Sequence, residues 1–121
     1  MKQERMSAEQ FRQLIGRRSA KSKYKNVKTE VDGISFDSKA EANRYCELKQ
    51  LQRAGEITGF GRQPSFVLDE HGTRYRPDFI VCSNDGRIWV EDVKGIITKE
   101  FQLKQKMWLS KYPWLPLEII K

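Results

Sequence analysis

Apolar and polar positions along the chain follow two periods, one typical of strands and one typical of helices. Alternating apolar residues on both sides of Asp32-Gly33 predict a β-hairpin over residues 27–36, because this dipeptide favours tight hairpin turns. From residue 39 to residue 54 the apolar positions recur at helical spacing, which predicts a helix that ends at Gly55. The apolar stripe of this helix consists of Ala42, Tyr45, Cys46, Leu48 and Leu51.

Three strand-like segments follow the first helix, and turn-forming residues separate them. These segments are Pro64–Leu68, Arg74–Cys82 and Arg87–Lys94. The short turns between them predict an antiparallel meander. A second helix is predicted to begin at Thr98, and a final strand is predicted over Leu115–Ile120. The order helix, three strands, helix, strand predicts a two-layer or three-layer α/β sandwich.

The N-terminal residues differ from the others in charge. Residues 1–28 contain nine basic and two acidic side chains, whereas the 14 basic and 14 acidic residues of the remainder cancel. We expect residues 1–26 to form a basic arm with a short helix over 8–15, followed by a folded domain over 27–121. A positive arm favours a polyanionic partner such as DNA, although a solubilising or membrane-surface tail has the same charge. The arm residues expected to contact nucleic acid are Arg17, Arg18, Lys21, Lys23 and Lys25.

Composition excludes several classes of protein. No apolar run approaches the roughly 20 residues that a membrane helix requires. His71 is the only histidine, and Cys46 and Cys82 are the only cysteines, so a zinc cluster of His and Cys ligands is excluded. Two cysteines without a CxxC pair indicate reduced thiols, and no apolar leader follows Met1, so we expect a cytoplasmic protein.

The predicted strand over 87–94 carries an acid and a lysine two residues apart. Strand side chains alternate between faces, so Asp92 and Lys94 share one face and Glu91 points to the other. On a shared face a carboxylate can bind a hard cation, and an amine can orient water or stabilise charge on a phosphate. Two further acid-x-Lys matches, at 37–39 and 47–49, lie at the start and in the interior of a helix, where residues two apart do not face each other.

Two further acids are candidates for the same site. A hairpin places Asp78, at the head of the preceding strand, beside Asp92, and two carboxylates in one space need a cation or a proton between them. The alternative is that Asp78 makes a turn hydrogen bond while Asp92 and Lys94 form a solvated ion pair. Glu41, in the first turn of the first helix, either reaches these acids or completes a helix capping box. The second helix has a partly basic face with Lys104, which contacts phosphate or is simply solvated.

Three segments carry a resemblance to a known family. They are Ser38-Lys39-Ala40-Glu41, Pro77-Asp78-Phe79 and Val90-Glu91-Asp92-Val93-Lys94-Gly95. In this order the segments resemble the motifs of the PD-(D/E)xK nuclease superfamily. Over residues 36–120 the chain is similar in particular to phage Holliday-junction-resolving endonucleases of the endonuclease I type and to related small phage-encoded nucleases. The resemblance implies a restriction-endonuclease-like core: a helix, a three-stranded antiparallel meander, a helix and a strand.

The resemblance also implies a function. It indicates an Mg²⁺-dependent DNA endonuclease, with Mn²⁺ expected to substitute, that acts on branched DNA in phage DNA processing. It implies a homodimer in the host cytoplasm, without a small-molecule cofactor. Asp78 and Asp92 are then the main metal ligands, helped by the carbonyl of Val93 and by Glu41. Lys94 is expected to position the attacking water, so the catalytic set comprises Glu41, Asp78, Asp92 and Lys94.

Alternatives to this interpretation concern both the site and the function. Glu91 is an additional acid, and a slip of one residue in the strand would recruit it in place of Asp92. A non-catalytic nucleic-acid-binding module that retains the nuclease fold is the alternative function. A small basic RNA-binding or assembly protein is a third, for which the acids are incidental.

Overall fold

The computed structural model describes residues 27–121, and in this part of the chain it has two helices and eight strands, which confirms the expected mixed α/β class. In chain order the elements are β1 (Thr29–Val31), β2 (Ile34–Phe36), α1 (Lys39–Arg53), β3 (Ile57–Arg62), β4 (Phe66–Val67), β5 (Arg74–Tyr75), β6 (Phe79–Ser83), β7 (Ile88–Val93), α2 (Lys99–Lys111) and β8 (Leu117–Ile120). The chain divides after Lys39 into two compact units. Neither helix of residues 27–121 has the length and apolar character needed to cross a membrane. The short helix predicted over 8–15 lies outside the described residues.

The first unit contains the predicted hairpin. Strands β1 and β2 pair antiparallel, with Val31 opposite Ile34. Asp32 and Gly33 form the turn, with φ values of 56° and 76°. An Asp-Gly pair adopts this left-handed backbone at low cost, so the hairpin predicted from the dipeptide is confirmed.

The main sheet lies in the second unit and has the strand order β3-β6-β7-β8. Strands β3, β6 and β7 are antiparallel, and β8 is parallel to β7. A three-stranded antiparallel arrangement is therefore present, but the prediction of its first strand was wrong. That strand is β3 and not Pro64–Leu68, which contributes only the two residues of β4, paired with β5 in a separate small sheet.

Local backbone features explain both errors in the strand predictions. Gly59 and Gly61 give β3 no side chains at two positions, and its register shifts between Ile57 and Gly59, so the apolar alternation is broken. The single strand predicted over 74–82 is interrupted by residues 76–78. Pro77 at the centre of this break is buried and has no amide hydrogen to donate to a strand ladder.

The two helices cover opposite faces of the main sheet. Phe79 and Ile80 are neighbours on β6 and therefore point to opposite faces. The Phe79 ring lies 6.1 Å from that of Phe60, which meets the Tyr45 ring of α1 edge-on at 5.7 Å. Ile80 packs against the apolar cluster around Trp108 of α2. Of the two architectures that the sequence allowed, the second unit has the three-layer one, with a helix on each face.

Helix α2 begins where the sequence predicts. The Thr98 side chain accepts a hydrogen bond of 3.1 Å from the Phe101 amide, which is the pattern of an N-cap. Trp108 is 1% exposed, and its indole donates to the carbonyl of Leu115 at 2.8 Å. This bond connects α2 to the segment that leads into β8, and so helps to fix the strand that lies beside β7.

A buried ion pair connects α1 to β7. Arg44 donates from Nε and Nη2 to the two carboxylate oxygens of Glu91, at 2.8 Å and 2.7 Å. The Trp89 indole donates a third hydrogen bond to Glu91 at 2.9 Å. Because Glu91 is only 1% exposed, its negative charge depends on these donors in place of water.

Replacing Arg44 tests this dependence. Arg44→Ala is expected to lower the free energy of unfolding by about 3–5 kcal/mol, since it leaves a buried carboxylate without its cation. Urea denaturation followed by circular dichroism measures the change. Glu47→Ala is the matched control, because Arg44 also donates to Glu47 at 3.0 Å on the surface, where a pair contributes about 1 kcal/mol or less. Equal losses in the two variants would contradict the role of the buried pair.

Candidate active site

The predicted acids meet at the end of the main sheet where β6 begins and β7 ends. Phe79 pairs with Glu91 across the antiparallel strands. Asp78, one residue before Phe79, therefore lies beside Asp92, one residue after Glu91. The hairpin between β6 and β7 thus brings the two aspartates together, as its sequence predicts.

Asp78 is held by the backbone of the neighbouring strand. The Val93 amide donates to Asp78 Oδ2 at 2.8 Å. Burial is the main cause that raises the pKa of the Asp78 carboxyl to about 11, and a side-chain hydrogen bond with Glu41 and the charge of Asp92 act in the same direction. Without a cation, Asp78 therefore carries a proton at neutral pH.

Glu41 reaches this acid pair from the first turn of α1. Its carboxyl group is hydrogen-bonded to that of Asp78, and its charge contributes to the raised pKa of Asp78. Glu41 therefore lies in the same group as the two aspartates. Asp92 lies on β7, and Asp78 is the residue that precedes β6. Three elements converge on one small acidic region, although the residues are distant in sequence.

Asp92 and Lys94 share one face at the end of β7. Asp92 is 4% exposed, and its Oδ1 lies 3.7 Å from Lys94 Nζ. The Lys94 amide donates to the Ile120 carbonyl at 2.9 Å, so strand pairing continues to Lys94 and the alternation that predicts a shared face holds. Lys94 Nζ also lies 4.7 Å from the ring centroid of Phe101, so the ammonium group makes a cation–π contact with this ring.

Tyr75 belongs to the same group of side chains, although it was not predicted from the sequence. Its hydroxyl donates to Asp92 Oδ2 from the interior, where Tyr75 is 5% exposed. Burial, followed by the charge of Asp92, raises the pKa of the Tyr75 hydroxyl above its ordinary value, so the phenol remains a donor. Its position three residues before Asp78 is the sequence feature that could have identified Tyr75. A buried tyrosine hydroxyl requires a polar partner, and Asp78 marks the region where such partners lie.

Glu91 lies outside this group. It occupies the opposite face of β7, where Arg44 and Trp89 donate to its carboxylate. A slip of one residue that would exchange Glu91 for Asp92 is absent from the register of β6 and β7. Strand alternation therefore selects Asp92 correctly as the acid on the Lys94 face.

The predicted nucleic-acid contacts are only partly within the described chain. Lys104 lies on α2 with its Nζ 5.8 Å from the Tyr75 ring, so it stands near the acidic group. The five basic arm residues lie outside the described residues, and their role stays a prediction. These are Arg17, Arg18, Lys21, Lys23 and Lys25.

The donor set suits a hard cation that keeps part of its water. Among residues 27–121, no group of three or more His, Cys, Asp and Glu side chains is placed so that it could hold a metal ion. Mg²⁺ does not need such a group, since it commonly takes one or two carboxylates and retains several waters. Asp78 and Asp92 supply two oxygen donors. Val93 directs its amide toward Asp78, and a strand residue directs its carbonyl to the same side as its amide.

A groove runs along β7 and β8, from Arg87 to Glu91 and from Leu115 to Ile120. It has a volume of about 930 Å³, and its lining includes Arg87, Trp89 and Trp114. Asp78 and Asp92 do not line it. The two aspartates therefore lie outside the groove.

Comparison with known proteins places the chain in a family. Residues 21–121 match the family described as "Protein of unknown function (DUF1064)", and the chain belongs to this family. The matched region contains all of the acids described above, together with Lys94 and Tyr75. No curated protein matches the chain. No solved structure matches it either.

The protonated state of Asp78 predicts a specific dependence of stability on pH. The unfolded carboxyl ionises at a pKa of about 4, whereas the folded one holds its proton up to about pH 11. Its stabilising contribution is therefore complete below about pH 4 and is lost as the pH rises toward 11. Between pH 6 and pH 9 in EDTA, the free energy of unfolding should fall by as much as about 1.4 kcal/mol per pH unit from this group.

Asp78→Asn should remove this part of the slope, because an amide does not ionise. Urea denaturation at several pH values measures the slope. Asp85→Asn is the matched control, since Asp85 is an exposed acid in the turn between β6 and β7, and this variant should keep the wild-type slope. Parallel stability curves for wild type and Asp78→Asn would show that Asp78 is not protonated in the folded protein.

Proposed function

We propose that this protein is a metal-dependent DNA endonuclease that hydrolyses phosphodiester bonds. The observation that carries the proposal is the convergence of Asp78, Asp92 and Lys94 at one end of the main sheet. Such a set provides oxygen donors for a hard cation and an ammonium group beside them, which is the equipment for metal-assisted attack of water on a phosphate. No histidine or nucleophilic side chain is required for this chemistry.

The acids are assigned to holding Mg²⁺, with Mn²⁺ as a substitute. Asp78 and Asp92 are the proposed ligands, assisted by the Val93 carbonyl, and Glu41 completes the acidic group directly or through water. The raised pKa of Asp78 supports this assignment, because a metal ion can replace the proton that such an acid retains when no cation is bound. The bound metal would neutralise charge on the phosphate and lower the pKa of a coordinated water.

Lys94 is assigned to the reacting water and the phosphate. Its side chain is 33% exposed, so its ammonium group can reach a substrate at the surface. Contact with the Phe101 ring and with Asp92 limits the directions that the side chain can take. A cation in that position orients water and stabilises the negative charge that develops on a phosphate oxygen during attack.

The arrangement of the second unit also supports a restriction-endonuclease-like core. A mixed sheet with a helix on each face presents its acids on adjacent antiparallel strands, and the final strand is parallel to the strand that bears Asp92 and Lys94. Glu41 arrives from the helix that precedes the sheet. This order agrees with the element order that the resemblance to PD-(D/E)xK nucleases implies.

DNA is the proposed substrate because the chain combines these acids with a strong positive charge. Residues 1–28 alone account for a net charge of +7, which attracts a polyanion. The resemblance to junction-resolving enzymes extends the proposal to branched DNA, to a homodimer that cuts two strands, and to the cytoplasm of a phage host. These extensions rest on the resemblance, whereas the hydrolytic chemistry rests on the side chains.

A non-catalytic DNA-binding module is the second candidate. It is favoured by the lack of a complete group of three metal-holding side chains within residues 27–121. In that case DNA binding would persist without metal, and no strand would be cut under any condition. The intact combination of Asp78, Asp92 and Lys94 favours the enzyme.

The decisive assay measures Mg²⁺-dependent cleavage of four-way junction, flap, linear duplex and single-stranded DNA. Asp78→Asn and Lys94→Ala are expected to lower the cleavage rate by at least about 10²-fold, because each removes a group that acts on the phosphate or the water. DNA affinity, measured in Ca²⁺, should stay within a few-fold of wild type. Asp85→Asn and Lys99→Ala remove exposed charges of the same types and should cleave normally.

Two results would count against the proposal. A wild-type protein that binds DNA but cuts none of the four substrates would establish the non-catalytic module. A loss of binding that parallels the loss of cleavage in both variants would show that Asp78 and Lys94 act on affinity and not on chemistry.

A further inference from the structure

Tyr75 connects the apolar interior to the acidic group. It ends β5, three residues before Asp78, and the break at residues 76–78 allows both side chains to approach Asp92. Tyr75 is 5% exposed and Asp92 is 4% exposed, so water has little access to the hydrogen bond between them. The contact is therefore a fixed part of the interior and not a surface interaction.

The ring of Tyr75 is fixed by α2. It lies 6.2 Å from the Phe101 ring and 5.8 Å from the Trp108 ring, the latter in an edge-on arrangement. Close packing of this kind restricts a side chain to one rotamer. The Tyr75 hydroxyl is thereby held at one position, and Asp92 Oδ2 is held with it.

The two oxygens of Asp92 have different surroundings. Oδ2 accepts from the neutral Tyr75 hydroxyl, whereas Oδ1 lies 3.7 Å from the Lys94 ammonium group on the exposed side. Asp78 is held similarly, since its Oδ2 accepts from the Val93 amide. Each aspartate therefore has one oxygen tied to a neutral donor, which fixes the orientation of the carboxyl group without supplying a positive charge.

We propose that Tyr75 is a positioning residue that orients Asp92 to bind a divalent cation. This inference rests on the proposed function. It adds Tyr75 to the proposed metal site, although Tyr75 is not one of the acids or the lysine of the motif. Hydrogen-bond partners of metal-binding carboxylates commonly change metal affinity by about 10–100-fold when they are removed. Tyr75 does not touch the substrate, and its effect is exerted through Asp92.

Calorimetric titration of the full-length protein with MnCl₂, in the absence of DNA, tests the inference. Tyr75→Phe removes the hydroxyl and keeps the ring against Phe101 and Trp108, and it should raise the Kd for Mn²⁺ by about 10–100-fold. Tyr112→Phe is the matched control. Tyr112 also packs against Trp108, and its hydroxyl donates to the Val67 carbonyl at 2.7 Å, away from the acids. Its loss should leave the Mn²⁺ affinity unchanged.

Cleavage supplies a second readout. In Tyr75→Phe the Mn²⁺ concentration for half-maximal cleavage should rise by the same factor as the Kd, and saturating Mn²⁺ should restore most of the rate. Unchanged Mn²⁺ affinity in Tyr75→Phe would overturn the inference and leave the proposed function intact. Equal weakening by Tyr75→Phe and Tyr112→Phe would also overturn it, because the effect would then be structural.

Failure of the proposed function has a different signature. In that case the wild-type protein would bind no Mn²⁺ and cut no DNA, and this result would overturn both claims. If Tyr75→Phe does not fold, the phenolic proton of Tyr75 in the wild-type protein provides the test by nuclear magnetic resonance. Its resonance should shift during Mg²⁺ titration with the midpoint of metal binding, and a resonance that stays constant to saturation would overturn the inference.

Discussion

Two carboxyl groups lie side by side at the end of the main sheet, and the surrounding side chains must compensate their charge. Asp78 and Asp92 approach each other because β6 and β7 are joined by a short hairpin, and their shared surroundings are partly closed to water. Two negative charges are unstable in such a place unless protons, donors or cations compensate them. The Val93 amide, the Tyr75 hydroxyl and the Lys94 ammonium group each meet part of this requirement. Burial, Glu41 and Asp92 nevertheless raise the pKa of the Asp78 carboxyl.

Neighbouring acids on β7 show two different solutions to the same problem. Glu91 faces α1 and receives two hydrogen bonds from the charged Arg44 and one from Trp89, so its charge is compensated within the protein. Asp92 faces α2 and accepts a hydrogen bond from the neutral Tyr75 hydroxyl. The Lys94 ammonium group lies 3.7 Å from Asp92, and the Lys94 side chain is partly exposed. Glu91 is thus committed to joining a helix to the sheet. In the proposed function, Asp92 is the acid that binds a further positive charge.

Short-range patterns allowed much of this arrangement to be predicted from the sequence. The period of two along β7 separates Asp92 and Lys94 from Glu91, and the turn before β7 predicts that Asp78 lies beside Asp92. The Asp32-Gly33 turn and the start of α2 at Thr98 were also predicted correctly, because each depends on one or two residues with strong local preferences.

Features that depend on tertiary packing could not be predicted in the same way. Strand β3 contains two glycines and a register shift, so pairing with β6 defines it and no apolar alternation reveals it. The hydrogen bond from Tyr75 to Asp92 requires the chain to break at Pro77 and the Tyr75 ring to pack against α2. Nothing local in the sequence specifies that combination. Glu41 could be recognised as a candidate, but its contact with Asp78 depends on how α1 lies on the sheet.

We propose that a proton on the pair of Asp78 and Asp92 occupies the place of a divalent cation. Calorimetric titration with Mn²⁺ at pH 7, in two buffers of different ionisation enthalpy, counts the protons released on binding. About one proton per bound ion should be released in the wild-type protein, and none in Asp78→Asn. Binding of Mn²⁺ without proton release, or equal release in both proteins, would contradict this proposal.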